Sequence, residues 1–364
     1  MAAAAPEEPP QPVQRIIDLT KDIEGDKLDL KKFISNILRY IDEYTSDPPS
    51  FPTYKNTAAV LQVIHAAREV IVREPGVVAV KSPVAVCGPL MGHGDSLIQC
   101  FANVGRPCKM KYIFLGNYAG SGAHPHEVLL LMLALKALYP DRVIALKGHM
   151  EDPPVLEAIM FIEGMKMRDL VPLDNSPRPV WQAIKECVCM LPLAATINDT
   201  VLCVSGGIGP LLCKEGLQQL GPLQRPHNPS VPTDRLRVME VIWGVMRLRH
   251  RPTRPNWPHF SPNDVEEFCN KHGIKFIVRG RQFVANGFLN NPRQLVTLSS
   301  AENYLALLEN QSAVLIFGKD PLKVIARRWA PINREPDSLD DNKAPQGTNQ
   351  LPTSPPDWPN AKKK

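Results

Sequence analysis

The chain has 364 residues, 44% of them hydrophobic, which is enough for one large catalytic-type domain or two small ones and excludes disorder throughout. Its 42 basic and 37 acidic residues leave a net charge of +5, too diffuse for a dedicated nucleic-acid binder. Proline is the outlier at 37 residues, above the roughly 5% of an average chain, and gathers in both tails and between about Pro222 and Pro262.

Met1–Pro12 holds alanine, proline and glutamate without a basic start or an apolar stretch, so it does not read as a signal peptide. Up to about Gln14 the composition is that of a flexible arm, and the domain division drawn from the sequence is an arm over 1–27, one domain over 28–332 and a Pro-rich disordered tail over 333–364. Leu30, Phe33, Ile34, Ile37, Leu38 and Ile41 recur at three and four, as do Val60, Leu61, Ile64, Ala67 and Ile71, which predicts two amphipathic helices joined by the loop Asp47-Pro-Pro-Ser-Phe-Pro52. Val84-Ala-Val-Cys87 predicts a strand running into Gly88-Pro-Leu-Met-Gly92, followed by a helix over Leu97–Asn103.

Lys111-Tyr-Ile-Phe-Leu-Gly-Asn-Tyr-Ala-Gly-Ser-Gly122 is an apolar run of strand length that meets glycine. A helix with Val128, Leu131, Leu135 and Leu138 on one face returns the chain, stops at Pro140, and leads to a second apolar run in Asp141–Met150. That order is a βαβ unit, and it puts two polar loops on the carboxyl edge of a sheet, where open α/β sheets place ligands. A helical region broken by Pro172, Pro177 and Pro179 follows over Pro154–Met190. Further strands are predicted at Thr200–Val204, Ile274–Val278, Gln294–Leu298, Ser312–Phe317 and Leu322–Ala326.

The longest apolar run, Val128–Tyr139, contains Lys136 and is too short for a bilayer, so a soluble protein without membrane association is expected. Eight cysteines are scattered, with Cys87, Cys187, Cys189 and Cys203 in apolar runs and no CxxC pair. Reduced core thiols and an intracellular location, cytoplasm or nucleus, follow from that usage.

Five strand ends carry loops that resemble those of the metallophosphoesterase-type Ser/Thr protein phosphatases, above all the type 1 catalytic subunit, over roughly Asp29–Pro331. The resemblance implies an α/β calcineurin-like metallophosphoesterase fold, a central β-sandwich of two mixed sheets flanked by helices. It also implies loops of the form G-D-x-H-G, G-D-x-x-D-R-G, G-N-H-E, H-G-G and R-x-H-Q, which in the family carry two divalent metals (Mn, Fe or Zn), phosphate-binding groups and a general acid. The loops fall in order, and their ligands are replaced. Pro89 and Met91 stand at the Asp and His of the first, and Asn117 at the bridging Asp of the second. Gly120 and Ser121 replace the Asp that orients the general acid and a phosphate-binding Arg, and His149 and Met150 replace the ligand Asn and the general-acid His. Ser205 and Arg281 take the last two ligand His positions.

This replacement has chemical consequences. A neutral amide at 117 cannot bridge two dications roughly 3.5–4 Å apart, and a thioether is a soft donor for hard ions. Met150 carries no exchangeable proton. Arg281 stays protonated and puts a fixed positive charge at a cation position. No cofactor is therefore expected, and two metals only in the alternative of an active phosphatase with a rebuilt site, for which His93, Asp95, His124, His126, Glu151 and Asp152 are the neighbours at hand.

Arg254, Arg281 and Tyr304 are the candidate phosphate-binding residues; the plain alternative is surface packing for Arg254 and Tyr304, and pairing with acidic neighbours such as Asp95 or Glu302 for the two arginines. Phe276, Leu322 and Val324 fall on apolar positions of the family's regulator-docking groove, while Ala326 and Leu289-Asn290 sit near two of its aromatics, and core packing is the alternative there too. The basic Pro-rich stretch Trp243–Trp257 reads as a solvated loop or a contact for an acidic protein ahead of nucleic acid. Thr353-Ser-Pro-Pro356 fits a proline-directed phosphorylation site, a string that Pro-rich tails also produce by chance. The function expected is that of a catalytically impaired or inactive homologue, a pseudophosphatase, that binds proteins such as phosphatase regulators or phosphoproteins.

Overall fold

Periodicity two in the strands decides the architecture. The computed structural model describes residues 16–24, 27–43, 52–174, 176–223, 225, 232–247, 258–304, 308–319 and 323–331. Eleven strands of the described residues form two sheets: β1 (Val77–Val80), β2 (Val84–Cys87), β3 (Tyr112–Phe114), β4 (Val143–Ala145), β5 (Ala194–Ile197), β6 (Val201–Val204), β7 (Phe276–Arg279), β8 (Phe288–Asn290), β9 (Leu295–Leu298), β10 (Ser312–Phe317) and β11 (Val324–Trp329). One sheet runs β8-β9-β7-β6-β5-β1 and the other β11-β10-β2-β3-β4. Both are mixed: β2, β3 and β4 are parallel, as are β6, β7 and β9, whereas β10 is antiparallel to β2 and β5 to β6.

Alternate side chains go to opposite faces. Val84, Val86, Val201, Cys203, Phe276 and Val278 meet in the layer between the sheets. Ala85 and Cys87 face the helices α1 (Leu30–Asp42), α2 (Thr57–Arg73), α3 (Gly94–Val104), α4 (Pro125–Leu138) and α7 (Pro179–Val188) on one outer side. Leu202, Val204 and Ile277 face α8 (Pro210–Glu215), α9 (Pro232–Trp243) and α10 (Pro262–His272) on the other. The predicted α/β sandwich of two mixed sheets flanked by helices is thus what the chain forms.

Local chemistry explains the helix limits. Asp29 accepts from the backbone N–H of Lys31 and Lys32 at 2.9 and 3.2 Å and starts α1. Ser261 and Asp264 form a reciprocal capping box on α10, which ends at Gly273 with φ of 69°. Helix α4 is buried around most of its circumference, so Lys136 is the exception inside an apolar run. Its ammonium is satisfied by Glu74 and by the carbonyls of Pro140 and Val143 at 3.1 and 2.8 Å.

Two expectations change. Ile16–Asp18, assigned to the arm, pairs in parallel with Thr53–Lys55 and buries Ile17, while Leu19 is buried just beyond it. Phe276 and Val324, read as docking-groove positions, are fully buried between the sheets, because their strand register turns them inward. Beside Val324 it is Ile325 that is exposed, whereas Ile277, beside Phe276, is buried against the helices on the other side. Leu322 and the stretch containing Arg254 lie outside the described residues, as do the tail beyond Pro331 and Thr353-Ser-Pro-Pro356. All eight cysteines are free, five of them buried. Among the described residues no helix is long and apolar enough to cross a membrane.

Two short helices, α5 (Pro153–Ala158) and α6 (Phe161–Lys166), follow β4, and a second buried ion pair joins α4 to the segment after them. Arg168 Nε and Nη2 donate to the Glu127 carboxylate at 2.7 and 3.3 Å, with both side chains almost fully buried. Burial alone would raise Glu127, but the guanidinium outweighs it and holds the carboxyl below its ordinary value. The pair's contribution is therefore complete above the unfolded carboxyl value of about 4.3 and is lost as pH falls through the lower folded value. Replacing Arg168 by Met strands a buried carboxylate, and urea unfolding at pH 7 is expected to show a loss of about 3–5 kcal/mol. An unchanged midpoint would mean that the pair contributes nothing net.

Candidate functional site

The parallel strands end on one edge, and their loops are bound to each other mainly through the backbone. Leu90 and Met91 N–H donate to the carbonyl of Asn117 at 3.2 and 2.8 Å, Gly92 N–H to Tyr118 at 2.7 Å, and Gly122 N–H to Met91 at 2.8 Å. Gly280 N–H donates to Ser205 at 3.0 Å. Gly116, at φ of 88°, lets the second loop lie against the third: a Cβ there would come 2.4 Å from the nitrogen of Gly148. Pro89 packs on Gly280, where a Cβ would meet its ring at 2.6 Å. All five loops thus close on one another.

One carboxylate holds the centre of this arrangement. Glu151 accepts from Asn117 N–H at 2.7 Å, Tyr118 N–H at 2.8 Å and Gly148 N–H at 2.9 Å, through both oxygens. Burial pushes its carboxyl up, and the three N–H donors and Lys147 pull it back. With both oxygens accepting, the geometry is that of a carboxylate committed to the backbone, so Glu151 is not at hand as a metal ligand. Lys147, buried beside it, donates to the Glu151 carbonyl at 2.7 Å and lies 3.8 Å from Asp152.

The replaced positions come together. Asn117 is fully buried, and its Oδ1 accepts from Met150 N–H at 3.1 Å. His149 packs on the ring of Trp243, centroids 4.7 Å apart, and the Arg281 guanidinium lies 4.9 Å from the same ring. Burial first, and the Arg281 charge second, lower the His149 imidazole to about 3, so it is neutral at physiological pH. Ser205 is fully buried under the end of α9, where the next two N–H groups, of Gly206 and Gly207, donate to Val241. Arg279 is buried as well and donates to Gln282, to Thr297 at 3.4 Å and to Gly244 at 3.4 Å. Burial and then Arg281 lower its guanidinium to about 9, still protonated at neutral pH.

Peripheral candidates are placed differently. Ser121 is exposed, and the neighbouring Gly120 backs onto the main chain of Met91. Tyr304 N–H donates to Asn310 Oδ1 at 2.7 Å, with its ring 6.4 Å from that of His93. His126 is turned to the Phe161 carbonyl at 2.8 Å and stacks on the Phe161 ring, which takes it out of the loop cluster. Trp243 and Arg279 belong to the cluster although the sequence reading gave neither a role. The sequence signal for Arg279 is its place at the Arg of the R-x-H-Q loop, two residues before Arg281.

A dinuclear centre needs hard anionic and imidazole donors converging on two ions. Among the described residues no group of three or more His, Cys, Asp or Glu is placed to hold a metal ion. Where the family's ligands fall, the donors are a proline, a thioether, an amide whose oxygen is engaged, one imidazole, a hydroxyl and a guanidinium. This set does not fit two divalent ions.

A two-sheet sandwich with five such loops on one edge is the architecture of a phosphoesterase domain. A family model described as calcineurin-like phosphoesterase matches residues 82–280, and the chain belongs to that family. Within it the chain is similar to Ser/Thr phosphatases. Serine/threonine-protein phosphatase BSL2 of Arabidopsis thaliana is 30% identical over 291 residues, which take in 75% of this chain and 27% of that relative, so the chain spans about a quarter of its length. Among solved structures, a protein serine/threonine phosphatase from Saccharomyces cerevisiae with similarity to human phosphatase PP5 superposes with a TM-score of 0.70 at 22% identity, over 84% of this chain and 98% of the other. The cold-active protein-tyrosine phosphatase of a psychrophilic Shewanella shares the fold more distantly, with a TM-score of 0.51 at 16% identity over 72% of this chain and 84% of the other.

Glu151→Gln tests what holds the loops. The amide turns a donor toward N–H groups, and urea unfolding is expected to show a loss of about 2–4 kcal/mol, with faster hydrogen exchange at the Asn117 and Tyr118 amides. Unaltered exchange at those two amides would show that the loops are held by other bonds.

Proposed function

We propose that the chain is a catalytically impaired or inactive homologue of the Ser/Thr protein phosphatases, acting as a protein-binding or regulatory module. The observation that carries the reading is the position of Arg281, a fixed cation packed with Trp243 and His149 among the very positions that would have to bind cations. Loss of the general acid at Met150 supports the same reading independently, since a thioether cannot protonate a leaving alkoxide. Family membership is the basis for taking phosphatase regulators or phosphoproteins as the partners. Eight free thiols suit a reducing, intracellular setting.

Elemental mass spectrometry of the purified chain, loaded with Mn and desalted beside an active family member, tests the reading. Metal near zero in the folded chain, with no release of phosphate from a phosphoserine peptide, is expected. About two metals per chain and turnover of the peptide would instead establish an active phosphatase with a rebuilt site.

A further inference from the structure

The centre of the loop cluster has changed the sign of what it can bind. We propose that it is an oxyanion site: a phosphate-type tetrahedral anion is held, without metal, by the guanidinium of Arg281 and the side-chain donors of Asn117, His149 and Ser205. The inference rests on the non-catalytic reading of the same centre and adds a ligand class to it.

The first support is an inventory of unpartnered polar atoms. Asn117 Nδ2, Ser205 Oγ and His149 Nδ1 are buried atoms without a hydrogen-bond partner. Because Asn117 Oδ1 takes the Met150 N–H, its amide is oriented and the group left over is the donor. The Ser205 hydroxyl turns on its own bond and can donate as well. A buried polar group left unpaired costs about 1–3 kcal/mol, so several in one place call for a ligand or for ordered water.

Their positions converge. Asn117 lies against Gly148 and Met150, which flank His149; His149 packs on Trp243, Trp243 is covered by Arg281, and Gly280 is hydrogen-bonded to Ser205. The donors stand at the ends of β3, β4, β6 and β7, on loops that touch one another. An oxyanion of phosphate type has enough acceptor oxygens to take hydrogen bonds from several loops at once.

Charge is the second support. Arg279 and Arg281 are close enough for each to feel the other, and Arg279 is lowered by burial and then by that like charge. The nearby Glu151 has both oxygens turned to backbone N–H groups of the second and third loops. Two guanidinium groups in a partly buried setting favour an anion, and arginine pairs with phosphate through two parallel hydrogen bonds.

The test uses the full chain, stripped with a chelator, and isothermal titration with inorganic phosphate, with sulfate as a second oxyanion and chloride as the control. Arg281 has φ of 68°, a conformation asparagine tolerates, so Arg281→Asn removes the charge with little change in backbone preference. Ser205→Ala is the second variant, and thermal unfolding reports whether each is folded. Saturable phosphate and sulfate binding that persists in chelator and weakens roughly tenfold or more in folded Arg281→Asn is expected. A smaller loss is expected in Ser205→Ala. Titration with a phosphoserine peptide identifies the source: tighter binding than inorganic phosphate points to a phosphoprotein, and equal binding to the free ion.

No binding by a metal-free folded chain would overturn the oxyanion site while leaving the non-catalytic reading intact. Undiminished binding in Arg281→Asn would overturn it too. Binding that requires added Mn would overturn both.

Discussion

Everything at the functional edge depends on one buried carboxylate. Glu151 collects the N–H groups of Asn117, Tyr118 and Gly148, three donors at the turns where β3 and β4 give way to loops. In a phosphoesterase fold the strand ends are expected to be drawn together by metal ions bridging several loops. Here the same strand ends are joined by peptide hydrogen bonds, by Glu151, and by glycines that permit close approach, of the Gly148 backbone at Gly116 and of the Pro89 ring at Gly280. Loop position is thereby separated from ligand chemistry. Side chains at 89, 91, 149, 205 and 281 can differ from a metal-binding set without opening the edge, because none of them supplies these bonds from its side chain.

That separation explains how an arginine is accommodated. A guanidinium in a partly buried position needs an aromatic face or hydrogen-bond acceptors to offset its lost hydration. Trp243, at the end of α9, supplies the face to Arg281 and packs against His149 on another side. Burial and the Arg281 charge leave the imidazole neutral, and burial with that same charge lowers Arg279. Guanidinium groups thus stand on a strand end where a metal site would need neutral or anionic donors.

The fold was legible in the sequence where a pattern was long or strongly bounded. Helices α1 and α2, the βαβ unit and the strand at Ser312–Phe317 fall where periodicity and glycine place them. Strands β1 and β5 carried no separate signal, since four-residue apolar runs are equally compatible with helix ends and buried loops. Helix α10 was passed over because its polar residues outweigh Val265, Phe268 and Cys269, the three that are buried. The inward turn of Phe276 and Val324 depends on register, which a one-residue shift reverses and which the sequence alone does not give. At the site, replacement of the ligands was readable residue by residue, whereas the meeting of Trp243 with His149 and Arg281 required the tertiary structure. Glu151 was visible as a neighbour of the loops, but its commitment to the backbone was not.

Met91, Asn117 and Arg281 share a further property: all three have positive φ, at 53°, 59° and 68°. Among residues other than glycine, asparagine, aspartate and histidine enter this left-handed region most readily, through short polar side chains that hydrogen-bond locally. Asn117 is at ease there, while a long thioether and a long guanidinium are held in a conformation disfavoured by about 1–2 kcal/mol each. The backbone thus has a composition preference of its own, for the residue types that also make good ligands. Exchanging Met91 or Arg281 for histidine would relax the main chain whether or not an ion ever binds, so a gain in thermal stability from such a change is no sign of a restored metal centre.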